Sequence, residues 1–217
     1  LHEAMRERGV TPVFQSGVDR FETDDDGRVT AAIDPNGDRY EGDFVGIAIG
    51  LDFNTELLHG TGVERDDGIF VDEYMRTSVD DVYAAGDITR YHDTILGERA
   101  QNGSWDSAKS QGTTAAKNML DPGSEPFRFV SSYSITHFDF PFLSFGHPTI
   151  GDDECERKYS DTEWRRLAFK DGKIVGGVLI GDLSPQSAYK KLMREERVVA
   201  DQKDVLLEKS VDLDELA

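Results

Sequence analysis

The sequence predicts an α/β fold followed by a smaller α+β domain, and three observations carry that expectation. Short apolar runs of strand length flanked by glycine occur at FVGIAIG, GIFVD and DVYAAGD, the composition of strands buried in an α/β sheet. A helical periodicity occupies the stretch from Asn102 to Leu120. Beyond a Pro/Gly/Ser break, strand-like segments predominate.

Taken in order, Leu1 to Gly9 reads as a helix stopped at Gly9, with no capping residue ahead of it. VFQSGVDRFE, RVTAAID and DRYEGDFV then alternate with the turn-rich DDDG and DPNGD, the pattern of an antiparallel meander. The three apolar runs follow as strands. In NGSWDSAKSQGTTAAKNML, Ala108, Gln111, Ala115, Ala116 and Met119 share one helical face, with Asn102 or Ser104 as the cap. Asp121 to Pro126 is the expected domain boundary. After it, YSITHFDF, ECERKYS, TEWRRLAFK and GKIVGGVLIGD read as strands, Ser184 to Arg197 as a helix, and the last seventeen residues as a short amphipathic helix or tail. Trp164 is expected in a strand core. Phe138, Phe140, Phe142 and Phe145 are expected in the core of the second domain or at a contact surface.

Composition narrows the function. The net charge is -19, from 43 acidic and 24 basic residues spread along the chain, which disfavours nucleic acid as a partner. Asp (27) exceeds Glu (16) and Arg (15) exceeds Lys (9), a bias that suits a halophile whose surface carboxylates hold water. No apolar run is long enough to span a membrane, and a soluble, cytoplasmic protein is expected. Cys155 is the only cysteine, so neither a dithiol nor a cysteine metal cluster can form within the chain. Asp66/Asp67, Asp152/Asp153 and His137 are read as solvated turn residues, and no metal ligand or catalytic residue is assigned.

The chemistry centres on VYAAGD and the helix after it. A strand through Val82, Tyr83 and Ala84 would end at Gly86, whose missing Cβ lets backbone N–H groups approach a phosphate. Asp87 would project past the strand end, where open α/β sheets bind ligands. A helix starting near Ser104 or Trp105 would aim free N–H groups at an anionic edge.

Thr77, Val82, Tyr83, Ala84, Gly86 and Asp87 match, without a gap, the T-x4-[VI]-[YF]-A-x-G-D pattern of the flavoprotein disulfide-reductase superfamily, which this stretch resembles. AIGLDFN resembles that superfamily's A-x-G-x-x-P-N crossover, GIFVDEYMRTS its G-I-x-V-D run, and SWDSAKSQGTTAAKNML its W-x-x-A-x-x-Q-G helix. YSITHFDFPFLSFG and RRLAFKDGKIVGGVLIGD look like the C-terminal domains of rubredoxin and ferredoxin reductases and of the flavin portion of NAD(P)H nitrite reductases. The resemblance implies a remnant of a flavoprotein with two dinucleotide-binding domains: 1–45 from the NAD(P)H domain, 46–120 the second FAD segment, and 127–217 a C-terminal interface domain.

It implies FAD and NAD(P)H as cofactors in the full-length protein, with Gly86, Asp87, Ser104, Trp105 and Ala108 toward FAD. A redox partner protein and a homodimer are the implied associations. Phe53 stands where the crossover has proline, and Gln101 and Gly103 where ferredoxin reductases often carry Arg and Glu. No G-x-G-x-x-G follows a strand, so the chain alone is expected to bind flavin weakly and to be inactive. An NADH oxidase or coenzyme A disulfide reductase, and a non-enzymatic dimerisation module, are the alternatives. His147-Pro148-Thr149 is similar to the segment bearing the acid/base histidine of thiol-disulfide reductases. With no thiol pair to protonate, it reads as a turn between strands.

Overall fold

The structure is a computed structural model and describes residues 1–137 and 139–209. Phe138, and the end of the tail from 210 onward, lie outside the described residues. The chain forms two compact units, Leu1–Asp52 and Phe53–Ala217.

The first unit opens with helix α1 (His2–Glu7). The N–H groups of Gly9 and Val10 donate to the carbonyls of Arg6 and Met5, each at 3.0 Å, a Schellman stop that places the helix end at the expected glycine. Strands β1 (Arg20–Thr23), β2 (Val29–Ile33) and β3 (Arg39–Glu41) form the antiparallel meander in that order. Its turns are closed by aspartates: Asp24 Oδ1 accepts from the N–H groups of Asp26 and Arg28, and Asp34 Oδ1 from those of Asn36 and Asp38.

The expected strand FVGIAIG does not form. Phe44, Ile47, Ile49 and Leu51 are exposed, with no strand beside them among the described residues. An apolar run becomes a strand only when neighbours complete its hydrogen-bond ladder.

The second unit holds two sheets. Strands β4 (Ile69–Val71) and β5 (Thr89–Asp93) pair in parallel, and β6 (Glu98–Ala100) returns antiparallel to β5. Ile69, Val71, Met75, Tyr91, Ala115 and Phe127 form the core beneath them. Helix α2 (Trp105–Leu120) stops before the Pro/Gly segment as expected. Its inner face differs from the expectation: Ala115 and Gln111 are buried, but Ala116 and Met119 are exposed, and Ser107, Thr114 and Asn118 point inward. Asn118 bonds to the Glu125 carbonyl and the Gly123 N–H, Gln111 to the Gly86 N–H, and Ser107 to the Gln111 amide, so these polar groups are buried with partners.

Strands β7 (Ser132–Ile135), β8 (Phe142–Gly146), β9 (Asp153–Ser160), β10 (Glu163–Lys170) and β11 (Lys173–Ile180) form an antiparallel sheet ordered β7-β8-β11-β10-β9. β8 is a strand that the aromatic run had concealed. Helix α3 (Gln186–Arg194) and the short α4 (Lys203–Leu206) cover one face. Tyr189 stacks on Phe145 with centroids 5.9 Å apart. Phe145 is in this core, whereas Phe140 and Phe142 are half-buried.

Trp164 is half-buried instead of central. Side chains alternate along a strand, and the inward set of β10 is Arg165, Leu167 and Phe169. Arg165, 3% exposed, pairs with Asp182 at 2.7 Å and lies over the Tyr159 ring at 5.1 Å.

Candidate functional site

The site forms where β5 begins and α2 begins, because the β5–β6 hairpin carries the chain out and back between them. VYAAGD is not a regular strand. Tyr83 makes one isolated bridge to Arg76, the Thr77 N–H donates to the Val82 carbonyl at 2.9 Å, and the Ala84 N–H to the Met75 carbonyl at 3.2 Å. The segment is thus pinned to the preceding loop over the buried Met75 and delivers Gly86 at its end.

Gly86 has φ +104°, a conformation that L side chains rarely adopt. Nothing lies within 4 Å of where a Cβ would stand, so the space beside the turn is open to a ligand. Its own N–H is not free for a phosphate, contrary to the sequence-based expectation: it donates to Gln111 Oε1 at 2.8 Å. A helix side chain has taken the donor that a ligand was expected to use.

Asp87 is half-buried, and its carboxylate has no hydrogen bond or ion pair among the described residues. Its backbone carbonyl accepts from Gln101 Nε2 at 3.1 Å, and Gly103 passes close enough that a Cβ there would stand 3.9 Å from Asp87 Oδ2. A Cβ at 103 would be in ordinary van der Waals contact with this carboxylate.

Ser104 caps α2, with its hydroxyl accepting the Ser107 N–H at 3.3 Å and donating to Asn102 Oδ1 at 2.6 Å. The Ala108 N–H bonds to the Ser104 carbonyl at 2.9 Å, so Ala108 offers no free donor. The N–H groups of Trp105 and Asp106 precede the first intrahelical bond and remain at the positive end of the helix. The Asp106 carboxylate in that first turn competes with any incoming anion. The Trp105 ring is 76% exposed, with the Lys109 ammonium 5.3 Å from its centroid.

Gly86, Asp87 and the approach to Ser104 are therefore adjacent, while Trp105 and Ala108 lie one and four residues into α2. Sequence reasoning did not assign Gln111 or Gln101 to the site. The signal for Gln111 was a polar amide on an otherwise buried helical face.

His147 is indeed in a turn between β8 and β9, and its Nε2 lies 3.0 Å from Oδ2 of the buried Asp93 at the end of β5. Asp93 Oδ1 also accepts from the N–H groups of Ile95 and Leu96. Asp66, Asp67, Asp152 and Asp153 are held by Gly68 N–H, Arg90, Asp171 N–H and Lys203 respectively. No group of residues among those described could hold a metal ion. No described helix is long and apolar enough to cross a membrane.

An unpartnered carboxylate, an open glycine turn and a capped helix N-terminus thus lie together. Residues 1–112 match the family described as pyridine nucleotide-disulphide oxidoreductase, and residues 134–197 the rubredoxin NAD+ reductase C-terminal domain. Pyridine nucleotide-disulfide oxidoreductase domain-containing protein 1 of Pongo abelii is 28% identical over 198 residues, covering 81% of this chain and 38% of that protein. The NAD(P)H nitrite reductase of Bacillus subtilis is 23% identical over 205 residues, covering 93% of this chain and 24% of that protein. The chain thus spans well under half the length of these curated relatives. Among solved structures, that of a covalent putidaredoxin reductase–putidaredoxin complex superposes with a TM-score of 0.84 at 23% identity, covering 99% of this chain and 51% of that one.

Proposed function

The chain belongs to the pyridine nucleotide-disulphide oxidoreductase family, and we propose that it supplies the second half of an FAD site in an enzyme that passes electrons from NAD(P)H through FAD to a redox acceptor. The observation that carries this reading is the free Asp87 carboxylate beside the open Gly86 turn. A half-buried carboxylate with no internal partner is left available to accept a hydrogen bond from a ligand. A ribityl hydroxyl is a donor of the right kind, and the bond would be charge-assisted.

The N–H groups of Trp105 and Asp106 would face the flavin's pyrimidine edge, where the positive helix end favours the negative charge that reduction brings. Ser104 holds that helix start in place. Gln101 fixes the Asp87 peptide through its carbonyl. Bound here, FAD would supply the hydride-accepting and electron-passing chemistry that joins NAD(P)H to the acceptor.

On this reading 1–45 belongs to an NAD(P)H-binding domain, 46–120 to the FAD-binding domain and 127–217 to an interface domain. No residue is assigned to NAD(P)H, because no G-x-G-x-x-G is present. A redox protein as acceptor is favoured by the putidaredoxin complex among the structural relatives. Neither a homodimer nor a cytoplasmic setting enters any step.

The test uses the product of the complete reading frame containing these residues. It should purify yellow and be reduced by NADH or NADPH. Asp87→Ala should weaken FAD binding about tenfold to a hundredfold, the loss of one charged hydrogen bond. A wild-type protein that takes up no FAD sinks the flavin reading, and an Asp87→Ala protein that binds FAD as tightly as wild type sinks the assignment of Asp87.

A further inference from the structure

We propose that Gln111 is the positioning residue that aims the Asp87 carboxylate, an inference that rests on Asp87 being the flavin contact. Gln111 is wholly buried (0% exposed) in the middle of α2. Its Oε1 accepts from the Gly86 N–H at 2.8 Å and lies 2.6 Å from the Thr89 hydroxyl, while its Nε2 donates to Ser107 Oγ at 3.1 Å. The Thr89 hydroxyl also stands 2.9 Å from the Gly86 carbonyl. With one proton to give, it serves Gln111 over the shorter distance.

These bonds fix which end of the amide faces the turn. Gly86 N–H can only donate, so the amide oxygen must point at it, and the amide nitrogen is left for Ser107. A glycine at φ +104° has wide conformational freedom unless something removes it. The bond to Gln111 holds the Ala85–Gly86 peptide, one residue ahead of Asp87. The Gln101 bond holds the Asp87 carbonyl on the other side. Because the Asp87 side chain has no internal partner, its direction depends on those two backbone tethers.

Gln111 thus ties α2, whose first turn would face the flavin edge, to the turn that would face the ribityl chain. The two halves of the contact surface are held at one spacing by one side chain. A glutamine placed only to fill a polar hole would affect folding but would not act through Asp87.

The product of the complete reading frame would be titrated with FAD as wild type, Gln111→Leu, Gln111→Glu, Asp87→Ala and the Asp87→Ala/Gln111→Leu double variant. Gln111→Leu is expected to raise the Kd for FAD about tenfold. The double variant should bind no more weakly than Asp87→Ala alone, since residues acting through one another are not additive. Gln111→Glu keeps the acceptor for Gly86 N–H, and Ser107 can turn its hydroxyl to donate, so its Kd should stay within about threefold of wild type, well under one hydrogen bond's worth. That variant decides the matter where Gln111→Leu does not fold.

Unchanged FAD affinity in Gln111→Leu, additive losses in the double variant, or a loss in Gln111→Glu as large as in Asp87→Ala would each overturn the positioning role while leaving the flavin reading intact. Failure of the wild type to bind FAD would overturn both.

Discussion

Cys155 shows how a residue's surroundings decide its chemistry. It lies in β9, packed against the core, and burial pushes its thiol up to about 11. The thiolate is the reactive form, so at pH 8 Cys155 should be alkylated about a hundredfold more slowly than a thiol of ordinary pKa. Timed labelling with a maleimide, before and after unfolding, measures this, and equal rates in the two states would refute it. The sequence already left this cysteine without a role, since it sits amid charged residues and the chain offers no second thiol. Asp87 was singled out by its place in the pattern begun at Thr77, and the structure leaves its carboxylate without a partner among the described residues. The partner of Gly86 was not legible: the expectation sent that N–H to a ligand, whereas Gln111, twenty-five positions away in the chain, takes it.

At the scale of elements, the meander and α2 were legible because their signals are local: turn aspartates, a serine cap and a break at Asp121. The runs at 44–50 and 81–87 fell short of regular strands, since a strand requires a neighbour that its own residues do not encode. β5 and the turn after β8 are joined by an equally non-local contact, Asp93 with His147. Asp93 is 5% exposed, and removing its histidine leaves Oδ2 buried without a partner. His147→Ala should cost about 1–3 kcal/mol of stability, read from urea unfolding, with Asp93→Asn/His147→Ala losing less than the sum of the single changes. Simple additivity would show that the two residues do not interact in solution.

For the molecule as a whole, the charge of -19 sets up self-repulsion that opposes compaction. Added salt shortens its reach, from about 10 Å at 0.1 M to about 3 Å at 1 M. The melting temperature should therefore rise between those concentrations of KCl, and a fall or a flat response by calorimetry would count against charge repulsion as the dominant surface effect. The sequence by itself determined the family, through motifs in fixed order, together with the charge, the local turns and the helix that follows Asp87. Only the tertiary structure decided which face of α2 is buried, which residue holds Gly86, and that His147 serves Asp93 instead of a thiol. Those outcomes depend on groups far apart in the chain meeting in space, where each buried donor must find an acceptor, and no local pattern specifies which one.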